Sequence, residues 1–153
     1  MYLFLDYLEV LLVALLICIF CDVEQKNRYC LISSVISFLV MEFMQTYDLF
    51  GNEMAYAITI INFIIVSVMK KEIKFYNFIP CIFSQWISVF TSTIVLFFFK
   101  VITNYNIENI IKLYRIPIIF LARILFFALI VVLNYFKSKI KNTIIEKNKY
   151  LLT

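Results

Sequence analysis

Apolar residues run along this chain in five long stretches, each broken by a short polar or charged segment. The stretches cover about Tyr2 to Cys21, Tyr29 to Tyr47, Met54 to Met69, Phe78 to Ile102 and Ile116 to Phe136. A helix rises about 1.5 Å per residue, so crossing the hydrocarbon core takes about 20 residues. Each stretch is therefore predicted to be a membrane-spanning helix, the third slightly short. Pro80 and Pro117 fall near helix starts, where a missing N–H costs little. The turn from Asp48 to Glu53 holds the only glycine, Gly51, which suits a tight hairpin. The longest loop runs from Thr103 to Arg115. In it Ile107, Ile110, Ile111 and Tyr114 recur at helical spacing, opposite Glu108, Asn109 and Lys112. That pattern fits either a short amphipathic helix on the membrane surface or an early turn of the fifth span. The fold class is all-α: a polytopic bundle of about five transmembrane helices in residues 1–136, with a basic tail in 137–153.

Lys and Arg set the expected orientation. The first inter-span segment carries Lys26 and Arg28, the third Lys70, Lys71 and Lys74, and the tail Lys137, Lys139, Lys141, Lys147 and Lys149. On the other side only the fourth segment is basic, with Lys100, Lys112 and Arg115. The bias places the N-terminus outside and the C-terminus and its tail in the cytoplasm. The first stretch lacks a basic leader and a small-residue cleavage site, so it is expected to be retained.

Composition sharpens the class. Hydrophobic residues make up 64% and charged residues 16%, with mean hydropathy +0.96. Soluble domains are nearer half apolar, so a multi-pass protein of the cell membrane is expected. The net charge of +4 belongs mostly to one membrane face and implies contact with anionic lipid, not nucleic acid. The absence of histidine removes a phospho-acceptor His, a Ser/His or Cys/His pair and a zinc-protease helix. One glycine and two prolines argue against phosphate loops and against broken-helix transporters. Asp6, Asp22 and Asp48 lack the glycine-flanked motif of an intramembrane aspartyl protease. No catalytic residue, cofactor or metal site is expected. Cys18 and Cys21 have CxxC spacing, but with Cys30 and Cys81 they are taken as small buried hydrophobes.

Polar side chains inside the spans are the candidate site. Glu9, Glu42 and Arg123 each fall about 10 Å below the outer end of their helix at about 1.5 Å per residue. An ion pair of Arg123 with Glu42 or Glu9 avoids an isolated charge in lipid. Ser34, Ser37, Glu42 and Gln45 share one face of the second helix, and Ser84, Gln85, Ser88, Thr91 and Ser92 share one face of the fourth. These faces are expected to point inward. They form either an outward-facing ligand pocket or interhelical packing polar groups.

Three stretches carry a resemblance to a known family. FLDYLEVLLVALL opens the first helix, LARILFFALIVVLNYFKSKIKN covers most of the fifth helix and its exit, and IIEKNKYLLT closes the chain. Together they resemble the N-terminal sensor region of peptide-sensing receptor histidine kinases with a GHKL-type ATPase domain, found in low-GC Gram-positive bacteria. The chain has no counterpart of that family's phospho-acceptor His or nucleotide-binding boxes. The resemblance implies the signal-receiving membrane region of a two-component receptor without its catalytic domain, an extracellular peptide ligand and a homodimer. The competing expectation is a small accessory membrane protein, bacteriocin-immunity-like or a subunit of an export complex, which needs only a membrane-protein partner.

Overall fold

The computed structural model describes residues 2–47 and 52–150, with side chains described for 3–47 and 53–140. The hairpin residues Asp48 and Gly51 lie outside the described residues. Five helices account for nearly everything else: α1 (Tyr2–Cys21), α2 (Lys26–Thr46), α3 (Asn52–Lys70), α4 (Phe78–Thr103) and α5 (Ile107–Tyr150), with a 3₁₀ turn at Phe75–Asn77 before α4. All five are long and apolar enough to cross a membrane, and no strand occurs among the described residues. The protein is a multi-pass helical membrane protein.

Helices α1, α2, α3 and α4 close into a ring, each packed on its neighbours, and α5 docks between α1 and α4. The core sits on α1, where Val13, Ala14, Leu16, Ile17 and Cys18 are enclosed by Tyr29 and Cys30 of α2, Val66 of α3, Cys81 of α4 and Phe126 of α5. Large side chains such as Phe90, Phe97, Phe98 and Trp86 on α4 point outward. That inversion is what a lipid solvent permits, because lipid tails are as apolar as the core.

With no hydrophobic drive between helices in lipid, close packing and hydrogen bonds must hold them. Small residues Cys81, Ser84, Ser88 and Thr91 form the buried face of α4. Between α2 and α3 the glue is Asn62. Its Oδ1 accepts from Tyr29 Oη at 3.1 Å and from Ser33 Oγ. Its Nδ2 donates to Ser37 Oγ at 3.2 Å and to Ile58 O at 2.9 Å. The amide's two donors and its acceptor are thus all in use in a position 1% exposed.

The C-terminal end of α1 is tied down from two sides. Its last carbonyls have no intrahelical partner, and in lipid each such group costs several kcal/mol. Lys70 Nζ donates to Cys21 O at 3.0 Å. Lys137 Nζ donates to Ile19 O and to Asp22 Oδ1, the latter at 2.7 Å. Beyond it the chain turns through Asp22 at φ 49°. The same left-handed turn ends α3 at Lys71 and α4 at Asn104, so residues other than glycine take the usual glycine position. In the α3–α4 connection Glu72 accepts from Lys74 at 2.6 Å and from Tyr76 Oη at 3.2 Å. The Lys74 contact holds the Glu72 carboxyl below its ordinary range and raises the Lys74 ammonium in return.

Of the two expectations for 107–114, the structure takes the early turn of the fifth span: the segment is the first part of α5, bent at Tyr114 (φ −120°, ψ 19°). Pro117 explains the bend, since it lacks an N–H for the carbonyl four residues earlier and its ring crowds it. At the other end α5 does not stop at Phe136 but continues as helix to Tyr150. Nothing from Lys137 to Tyr150 is Gly or Pro, so no residue there breaks the helix.

Replacing Asn62 with Ala orphans the Tyr29 and Ser33 hydroxyls and should destabilise the bundle by about 1–3 kcal/mol. Reversible unfolding in bicelles checks this; an unchanged midpoint would remove Asn62 from the account of α2–α3 packing.

Candidate functional site

Glu9 faces the junction of three helices. Arg123 of α5 donates through Nη2 to Glu9 Oε2, and Ser88 of α4 donates to Glu9 Oε1 at 2.5 Å. Both carboxylate oxygens are therefore engaged. The helix faces explain how they meet. Ala122, Arg123, Phe126 and Ile130 are the buried stripe of α5, and Ser88 lies in the small-residue stripe of α4. A serine there leaves room for α4 to approach α1 closely. Arg123 is 6% exposed, and its Nε and Nη1 are buried without a hydrogen-bond partner among the described residues.

Of the two partners the sequence left open for Arg123, Glu9 takes the ion pair. Glu42 does not: it stays half-buried, with Oε1 enclosed and unpartnered among the described residues. The reason is topological, since α5 packs on α1 and α4 whereas α2 packs on α1 and α3. Glu42 still belongs to the same charged layer. Asp6 lies within electrostatic range of Glu9, Glu42, Arg115 and Arg123. Three acids and two bases thus share the N-terminal end of α1.

The remaining sequence candidates divide. Ser84 is buried but bonds back to Pro80 O of its own helix, and Thr91 and Ser92 both bond back to Ser88 O. They serve packing and the local backbone. Gln45 is half-buried on α2, and Gln85 is half-buried in a separate groove between α3 and α4. Ser34 is buried and contacts Tyr7 Oη at 3.2 Å, while Ser37 joins the Asn62 cluster.

A cleft of about 390 Å³ opens beside the ion pair, between α4 and α5. Its polar lining is Glu9, Ser92, Thr93, Arg115 and Arg123, and the rest is aliphatic, from Val89 and Leu96 to Ile111 and Ile118. Ile111 and Arg115 flank the bend at Tyr114, so the shape of the cleft depends on that bend. Arg115 and Asn62 were not singled out from the sequence. The signal for Arg115 was its position about two turns before Arg123, which leaves the two roughly 80° apart round the helix and able to flank one cleft. Asn62, an amide in the middle of an apolar span, was visible by its rarity alone.

Comparison with protein-family models, with curated proteins and with solved structures finds no match to this chain. A buried charge pair with one partner removed leaves an uncompensated charge, at a cost of about 3–5 kcal/mol, whereas removing both can be close to neutral. Glu9→Gln and Arg123→Met alone should therefore each destabilise strongly, and the double variant should recover most of the loss. Equal, additive losses in a double-mutant cycle would show that the two side chains do not interact.

Proposed function

We propose that this chain is the signal-receiving membrane region of a two-component receptor of the peptide-sensing histidine kinase type, set in the cytoplasmic membrane and working as a homodimer. The N-terminus lies outside and the C-terminus inside. Support for that orientation comes from the gathering of Lys26, Arg28, Lys70, Lys71, Lys74 and Lys137 at the end of the bundle where α1 and α3 finish. The charged junction then belongs to the outer half, within reach of an extracellular peptide.

One observation carries the reading: the helix that holds Arg123 in the cleft is the same helix that leaves the bundle. From its bend at Tyr114, α5 passes the cleft at Arg115 and Arg123, meets the end of α1 at Lys137 and continues to Tyr150. A ligand that alters the bend or the ion pair has a direct mechanical route to the opposite face. For it to shift an equilibrium it must contact two packings differently, and unpartnered donors on Arg123 give it something to contact.

The second reading, a small accessory membrane protein, is supported by one feature. A groove of about 410 Å³ between α3 and α4 faces outward, lined by Tyr56, Thr59, Gln85 and Trp86 among apolar residues. A glutamine at the wall of such a groove suits a partner helix.

A chimera separates the two. Joined ahead of the catalytic region of a peptide-sensing histidine kinase, the chain should confer autophosphorylation that changes about 5-fold or more in Arg123→Gln, the lower end of typical coupling between sites. A folded, membrane-inserted chimera whose activity ignores Arg123→Gln and Glu9→Gln alike would overturn the sensor reading and leave the partner-helix reading in front.

A further inference from the structure

The first hairpin brings together two cysteines that are not the CxxC pair. Cys18 of α1 and Cys30 of α2 face each other with their Sγ atoms 3.4 Å apart. Both are free thiols, 2% and 8% exposed. Cys21 and Cys81 are buried at the same end of the bundle, but Cys81 donates instead to Asn77 O at 3.3 Å. Among the described residues no group of three or more His, Cys, Asp or Glu could hold a metal ion. The pair therefore stands as two thiols in contact.

Geometry is already close to that of a covalent link. A disulfide needs an S–S separation of about 2.05 Å, so the gap closes by little more than 1 Å, within reach of small side-chain rotations. The helices are packed against each other here, since Cys18, Tyr29 and Cys30 share one core. The pair also lies just beneath water. Cys18 Sγ sits 3.8 Å from Lys26 O, and residues 24–28 are all exposed.

We propose that Cys18 and Cys30 form a dithiol site for reversible oxidation by hydrogen peroxide. Cys30, the more exposed of the two, attacks one peroxide oxygen as its thiolate. The O–O bond breaks, hydroxide leaves and takes up the proton released by the thiol as a first water, and Cys30 carries a sulfenic acid. Cys18 then attacks that sulfur, the S–S bond forms, the S–O bond breaks and a second water leaves. Two thiols have lost two protons and two electrons, and hydrogen peroxide has been reduced to two waters. A thiol reductant reverses the step.

The cross-link would fix α1 on α2 one residue from Ile19, whose carbonyl receives Lys137. It would thus set the position of the end of α1 on which α5 rests. The proposal does not depend on the ligand reading of the cleft.

The test uses the whole protein in lipid nanodiscs treated with hydrogen peroxide, followed by denaturation, alkylation of remaining thiols and tryptic digestion. Trypsin cuts after Lys26 and Arg28, between the two cysteines. The expected result is a linked peptide pair that parts on reduction, with fragment spectra placing the bond at Cys18 and Cys30. The link should persist in Cys21→Ser and Cys81→Ser and vanish in Cys18→Ser. Full alkylation of all four cysteines after treatment overturns the proposal. So does a bond through Cys21 or Cys81, or oxidation that ends as sulfinic acid on a single cysteine. If Cys18→Ser fails to fold, the wild-type fragment spectra decide.

Discussion

Two attachments between α1 and α5 hold this bundle in its arrangement, because a lipid solvent supplies no hydrophobic force to do so. Near its start α1 offers Glu9 to Arg123, and near its end it offers Ile19 O and Asp22 to Lys137. The contacts follow the same order along both helices, so α1 and α5 run parallel. At about 1.5 Å per residue they lie about 20 Å apart along the helix axis, most of the depth of a bilayer. A pair fastened at both ends cannot slide, and α4 is held to it through Ser88. On the far side of the ring Asn62 ties α3 to α2.

These attachments differ in character. The one at the C-terminal end of α1 satisfies helix-end carbonyls that would otherwise be orphaned, at an end of the bundle rich in lysine. The Glu9–Arg123 pair is more enclosed and unevenly matched. Among the described residues, Nε and Nη1 of Arg123 and Oε1 of Glu42 meet no hydrogen-bond partner. A fully satisfied network stiffens a structure, whereas a partly satisfied one marks where a second arrangement or a ligand has something to gain. The uneven pair lies beside a cleft and close to a proline-driven bend, so these three features share one end of the fold.

The five spans were legible because length and hydropathy alone decide them. The depth of Glu9 and Arg123 was legible too, since rise per residue fixes it. Which acid Arg123 meets was not, because depth says nothing of the order of helices around the ring. Glu42 has the right depth and the wrong neighbour. Ser88 shows the same limit from another side. The periodicity put it on an inward face with Ser84 and Thr91, yet only Ser88 stands opposite Glu9. The helical continuation of α5 past Phe136 was not legible from hydropathy, because the stretch stops being apolar there while the helix goes on. Lysine, asparagine and isoleucine without glycine or proline continue a helix into water readily enough.

The central claim is that Glu9 and Arg123 form a direct ion pair inside the membrane. Solid-state NMR on protein in lipid bilayers measures it most directly, by dipolar recoupling between ¹⁵N in the Arg123 guanidinium and the ¹³C of the Glu9 side-chain carboxylate. The account predicts strong dephasing characteristic of contact, lost in Glu9→Gln with Arg123 resonances shifted. Absence of recoupling in the wild type, with Arg123 coupled instead to Glu42 or to water, would contradict the arrangement on which the rest depends.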